Sequence, residues 1–161
     1  MKAKLVLFGL FLLVFAGQTN FAQTLPVKIK NYLNKNYKGW KLQKDVCFPD
    51  EPGKAVVTGD FNGDRKRDYA VKFVRGKKGY MIAFLAQKQN YKAFILHNTD
   101  AEDVKYLSLG VSKKGDEFPY GGINDTEGKS FRLKYDAPED YRCESDIGGI
   151  HYYRNGKFIA Y

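Results

Sequence analysis

Side-chain oxygens recur at Asp60, Asn62, Asp64 and Asp68, in a D-x-N-x-D-x-x-x-D spacing inside the run Thr58 to Phe73. Calcium takes six to eight hard oxygen ligands at about 2.3–2.6 Å, and a tight loop with an acceptor on every second residue can converge them on one point. The backbone carbonyl of Lys66 stands where a further ligand from the chain is expected, and water would complete the shell. A second reading stays open, an Asx-rich turn that holds its shape without an ion. Arg65, Lys66 and Arg67 put three positive charges beside three carboxylates and would screen them when no metal is bound.

The segment Gly59-Asp60-Phe61-Asn62-Gly63-Asp64, followed by Asp68 and the apolar start of a strand, resembles the FG-GAP or VCBS type of calcium-loop repeat across Gly59 to Val71. Weaker similarity to small exported bacterial proteins of this type extends to the ending Tyr152-Tyr153-Arg154-Asn155-Gly156-Lys157-Phe158. The resemblance implies Asp60, Asn62, Asp64, the Lys66 carbonyl and Asp68 as the calcium ligands. The chain departs from the family at Arg65, where glycine is usual. A left-handed backbone there costs a non-glycine residue about 1 kcal/mol or more. In propellers such loops recur once per blade, but the spacing occurs once here: neither Asn124 to Glu127 nor the acidic run Asp136 to Asp146 repeats it.

Other chemistry is sparse. Cys47 and Cys143 are the only cysteines, and an even count in an exported chain predicts one disulfide between them. His97 and His151 are the only histidines, and neither lies in a sequence pattern of a catalytic triad. The chain has no Gly-x-Ser-x-Gly, no His-Glu-x-x-His and no Gly-x-x-x-x-Gly-Lys-Ser/Thr phosphate loop. Paired carboxylates for glycoside cleavage meet only in space, so plentiful acids carry no specific signal.

An export signal is expected over residues 1–22. Lys2 and Lys4 precede an uncharged stretch from Leu5 to Ala16, and Asn20-Phe21-Ala22 ends on a small residue suited to cleavage, as does Val14-Phe15-Ala16. The apolar stretch is shorter than the roughly 20 residues that span a bilayer, so no transmembrane anchor is expected after cleavage. The full chain has 161 residues and a net charge of +9; cleavage after Ala22 removes two of 27 cations and none of 18 anions, leaving +7. That composition, with all twelve tyrosines kept, excludes collagen, coiled coil, integral membrane protein and wholesale disorder.

Residues 23–161 are expected to form a single α+β domain, mostly antiparallel sheet with an N-terminal helix and one further short helix. Thr24 and Pro26 suit a helix start, Ile29, Tyr32 and Leu33 share one face, and Gly39 is its stop. Strands are expected at Trp40 to Leu42 and Ala55 to Val57. A three-stranded meander should follow over Tyr69 to Arg75, Tyr80 to Ala86 and Tyr91 to Leu96, joined by four-residue polar connections. The middle run is apolar on both faces and should be the central strand. Asp100 should cap the second helix, Leu107 to Val111 should extend, and Asn155-Gly156 should turn a terminal hairpin. One propeller blade takes roughly 40–50 residues, so the chain is too short for a closed propeller; a single sheet with helices packed on it is expected. The polar, glycine-punctuated stretch 112–129 reads as a long hairpin connection or as an interaction loop anchored by Phe118 and Tyr120.

These features lead to an exported, periplasmic or extracellular, noncatalytic binding module. Its partner would be a protein or an envelope polysaccharide attracted by the basic surface, and no nucleic acid is expected in that setting. The alternative is a small exported inhibitor or partner of a hydrolase acting through the 112–129 loop. No residue pattern names a substrate.

Overall fold

The computed structural model describes residues 25–47, 53–120, 129–143, 145 and 148–161. The expected export signal and Thr24 lie outside the described residues. Ile29 and Leu33, one helical turn apart, are both fully buried, and they define the inner face of α1 (Val27–Asn36). Pro26 is the residue that precedes the first turn, with extended backbone and no side-chain cap; its carbonyl accepts from the N–H groups of Ile29 and Lys30. Gly39 ends the excursion with φ +83, a left-handed value that glycine tolerates without a Cβ clash.

The helix covers one face of a five-stranded antiparallel sheet. Its strands are β1 (Lys41–Leu42), β2 (Val56–Gly59), β3 (Asp68–Arg75), β4 (Lys78–Ala86) and β5 (Tyr91–Asp100), with β1 and β2 both paired along β3. Tyr69, Val71 and Phe73 share one face of β3 and pack with Ile82 and Phe84 of β4 against Ile29 and Leu33. The central position of β4, flanked by β3 and β5, agrees with its two apolar faces. The β3–β4 connection is tighter than four residues: only Gly76 and Lys77 lie outside the strands, and Gly76 has φ +57. Strand β5 also outruns its apolar segment, because Asn98 and Thr99 continue the ladder opposite Tyr80 and Gly79.

Asp100 does stand before the second helix, α2 (Ala101–Val104), yet it makes no cap hydrogen bond. Its carboxylate instead pairs with Lys78 at 2.7 Å. Close packing fixes α2 from beneath: a Cβ on Gly79 would meet Val104 at 2.4 Å.

The expectation of a single sheet is overturned by a second, four-stranded antiparallel sheet ordered β11-β10-β9-β6. It comprises β6 (Leu107–Ser112), β9 (Ala137–Arg142), β10 (Gly148–Arg154) and β11 (Lys157–Ala160). A core between the sheets joins Ala70, Met81 and Leu85 of the first to Leu107 and Leu109 of the second, with Phe61 inserted from the acidic loop. A third element, the two-stranded ribbon β7 (Glu117–Tyr120) and β8 (Lys129–Arg132), takes up Glu117–Tyr120 and Lys129 of the expected long loop. Residues 121–128 lie outside the described residues. The ribbon's Phe118 and Phe131 pack with Leu133, Ala137, Ile150 and Tyr152 on the outer side of the second sheet. The terminal hairpin turns at Asn155 and Gly156, both at positive φ, as a type I′ turn requires.

One charge is sealed between the layers. Lys72 is fully buried, donates to the Leu107 carbonyl and lies 3.9 Å from the Asp45 carboxylate. Burial pulls its ammonium down from 10.5 to about 8, against the opposing pull of Asp45. Between those two values the unfolded chain holds a proton that the native state has lost, so native stability rises with pH across the window from about 8 to 10.5. A single such group gives a slope of at most about 1.4 kcal/mol per pH unit. Tyrosines titrate in the same range, so the expected result is a difference: urea midpoints measured from pH 7 to 10.5 should climb more steeply for the native chain than for Lys72→Met. Parallel profiles would show that Lys72 does not titrate in this window.

Candidate metal centre

The acidic loop fills the gap between β2, which ends at Gly59, and β3, which begins at Asp68. Two features fix it. Phe61 is wholly buried in the core between the sheets. Asp68, also wholly buried, accepts from the Phe61 N–H at 2.8 Å and from the Ala86 N–H at 2.7 Å, tying the loop to the end of β4.

The shorter turns are made by the expected oxygens. Asn62 Oδ1 accepts from Asp64 N–H at 3.0 Å, Asp60 Oδ2 from Arg65 N–H at 3.0 Å, and Asp64 Oδ1 from Lys66 N–H at 2.9 Å. Arg65 takes the left-handed backbone that its place in the motif demands, with φ 62. One carboxylate oxygen from each of Asp60, Asp64 and Asp68 lies within 4.8 Å of the others. Oxygens on opposite sides of a calcium ion stand about 4.6–5.2 Å apart, so the cluster has the right span. Asp60 Oδ1 is buried without a hydrogen-bond partner. A buried, unpaired carboxylate oxygen is costly, and a cation is the ligand whose chemistry would satisfy it.

Charge within the loop works both ways. Burial first, then the neighbouring Asp64 and Asp60 charges, push Asp68 up to about 6 in spite of its two backbone hydrogen bonds. For Asp64, burial raises the carboxyl, but hydrogen bonds and charge from Lys66 outweigh it and hold the group below its usual value. The Lys66 ammonium sits 2.9 Å from Asp64 Oδ2. It is a built-in competitor for one metal ligand. The structure thus brings Asp60, Asp64 and Asp68 together, uses Asn62 as a turn former, and places the Lys66 side chain and N–H on Asp64.

Asp136 carries no signal in the sequence, yet it anchors the loop to the second sheet. Its Oδ2 accepts from Asp60 N–H at 3.3 Å and lies 3.5 Å from the Lys113 ammonium, while Oδ1 accepts from Lys114 N–H at 3.0 Å. The approach is close enough that a Cβ on Gly59 would meet Asp136 Oδ2 at 2.8 Å. The histidines also converge in space. Asp140 Oδ1 lies 3.1 Å from Nε2 of the buried His151, and Oδ2 lies 3.8 Å from Nδ1 of His97, so one carboxylate joins β5 to β9 and β10.

Cys47 and Cys143 form the expected disulfide, 96 residues apart in sequence with Cα atoms 5.1 Å apart. Such a bond marks an oxidising, non-cytoplasmic environment. No helix among the described residues is long and apolar enough to cross a membrane. Phe118, offered by the sequence as an interaction anchor, is half-buried and turns inward, its ring 6.3 Å from that of Phe131. Tyr120 is the last described residue of β7, and its side chain lies outside the description. No model of a known protein family, no curated protein and no solved structure matches the chain.

Proposed function

We propose that this chain is an exported, noncatalytic binding module, periplasmic or extracellular, whose Asp60–Asp68 loop holds a structural calcium ion of the FG-GAP or VCBS type. The observation that supports it most is the convergence of three carboxylates around a buried Asp60 oxygen with no hydrogen-bond partner. Calcium at that point would bridge the end of β2 to the start of β3 and relieve the mutual repulsion of Asp60, Asp64 and Asp68. Its role is bracing, since the loop's remaining bonds already set its path. The ligand of the module itself is a protein or an envelope polysaccharide.

Extracellular calcium modules bind in the range of about 10⁻⁴–10⁻³ M, and isothermal titration of the disulfide-bonded protein should give a constant in that range. Lys66→Gln, which removes the competing ammonium, should bind calcium roughly twofold to fivefold more tightly, in line with a surface ion pair of up to about 1 kcal/mol. Asp60→Ala should lose the calcium heat. No heat at millimolar ion, or heat unchanged in Asp60→Ala, would remove the metal site from the proposal.

A further inference from the structure

A cavity of about 490 Å³ opens on the outer side of the second sheet, beside the ribbon and the terminal hairpin. Its volume falls in the range of roughly 300–1,000 Å³ typical of small-ligand sites. The rings of Tyr135, Tyr152 and Tyr161 line it, and Arg132, Lys134 and Arg154 stand around it with their side chains exposed. Among the described residues that line it, none is acidic. We propose that this cavity binds an acidic glycan, with uronate carboxylates paired to Arg132, Lys134 and Arg154 and a sugar ring lying against the tyrosine faces.

The chemistry selects that class. Arginine presents a planar fork matched to a carboxylate, and a pyranose offers an apolar C–H face to an aromatic ring while its hydroxyls remain in water. Nucleic acid would also offer rings and negative charge, but the Cys47–Cys143 disulfide belongs to an oxidising compartment, apart from the cytoplasm that holds a cell's nucleic acid.

The ring wall is held in place before any ligand arrives. Tyr135 stacks on Tyr152 with centroids 4.8 Å apart and an interplanar angle of 17°. Its hydroxyl donates to the Tyr153 carbonyl, and the Tyr152 hydroxyl accepts from Lys134 N–H at 3.2 Å. The acidic loop backs the same ring: a Cβ on Gly63 would lie 3.0 Å from Tyr135. Burial, followed by the bond to and charge of Tyr152, pushes the Tyr135 phenol up to about 12, so the wall stays neutral and does not repel an anion. A surface fixed in advance loses little entropy on binding.

This inference names the ligand class of the binding module and rests on that reading for its extracytoplasmic setting, but not on calcium. The test is titration of the disulfide-bonded protein with a six-residue oligomannuronate, too short to gel, once in chelator and once in millimolar calcium. Binding is expected in both, with uncharged mannohexaose at least tenfold weaker. The exposed double substitution Arg132→Ser, Arg154→Ser should also weaken oligomannuronate binding at least tenfold, since a hydrogen bond to a charged group is worth about that much or more. Absence of binding in both conditions overturns the proposal, as does unchanged affinity in the double variant. Equal affinity for hexaglutamate or for a six-residue oligothymidylate overturns it too, because charge alone would then suffice. A calcium titration that fails while oligomannuronate binds in chelator removes the metal and leaves the glycan site standing.

Discussion

Replacing Cys47 and Cys143 together by serine should lower the stability of the native state by about 4–5 kcal/mol, the value a chain-entropy treatment assigns to a loop of this length. The bond closes 96 residues, from the segment after β1 to the end of β9. It therefore encloses the whole meander, the acidic loop, the ribbon and two strands of the second sheet, β6 and β9. The loss would be a large fraction of the total, since domains are typically stable by only about 5–15 kcal/mol. The region around the bond shows how the restraint is transmitted. Val46 N–H donates to the Lys105 carbonyl, and Cys143 N–H donates to the Tyr106 carbonyl, so both cysteine segments are stitched to the turn between α2 and β6. Urea unfolding of the oxidised chain and of the double-serine variant supplies the check. A midpoint shift equivalent to less than about 1 kcal/mol would mean that these hydrogen bonds, rather than the covalent link, hold the segments together.

The disulfide was legible because two cysteines admit one pairing. The meander was legible because β3 and β4 are buried on both faces and therefore show long apolar runs, while Asn155-Gly156 states its turn directly. The second sheet was not. Its inner strand β9 reads Ala-Pro-Glu-Asp-Tyr-Arg, with hardly any apolar pattern, because its acids are occupied in space: Glu139 accepts from Ser112 and Asp140 meets both histidines. A strand stabilised by such cross-strand polar pairs leaves no alternation of hydrophobic residues to detect. The ribbon was hidden for a different reason. Its two strands are four residues each, and among their described side chains it is Phe118 and Phe131 that pack onto the second sheet, which the sequence does not announce.

The site divides in the same manner. Local spacing announced Asp60, Asn62, Asp64 and Asp68, since those residues lie within nine positions and interact through one loop. Asp136 was silent because it reaches Asp60 from 76 residues away. The cavity was silent too: its arginines and tyrosines come from β8, the segment before β9, β10 and the end of the chain, and only the packing of the ribbon on the second sheet makes them neighbours.

Two aspartates of one motif should respond very differently to removal. Asp68→Ala is expected to cost about 2–4 kcal/mol even in chelator, because it removes the acceptor of the buried Phe61 N–H and of the part-buried Ala86 N–H; each buried donor left unpaired costs about 1–3 kcal/mol. The first of those donors belongs to the residue that plugs the core between the sheets, so the loss also loosens Phe61. Asp60→Ala removes one acceptor from an exposed N–H, that of Arg65, and takes away the oxygen that had no partner at all. Its cost in chelator should be under about 1 kcal/mol. Adding calcium at ten times its dissociation constant should stabilise the native chain by about 1.4 kcal/mol and should stabilise neither variant. Denaturation of all three proteins, with chelator and with calcium, separates the two jobs. If Asp60→Ala proves as damaging as Asp68→Ala in chelator, the loop depends on all its carboxylates for shape. If Asp68→Ala costs little, the anchoring falls to Phe61 and Asp136, and the buried carboxylate is there for the metal.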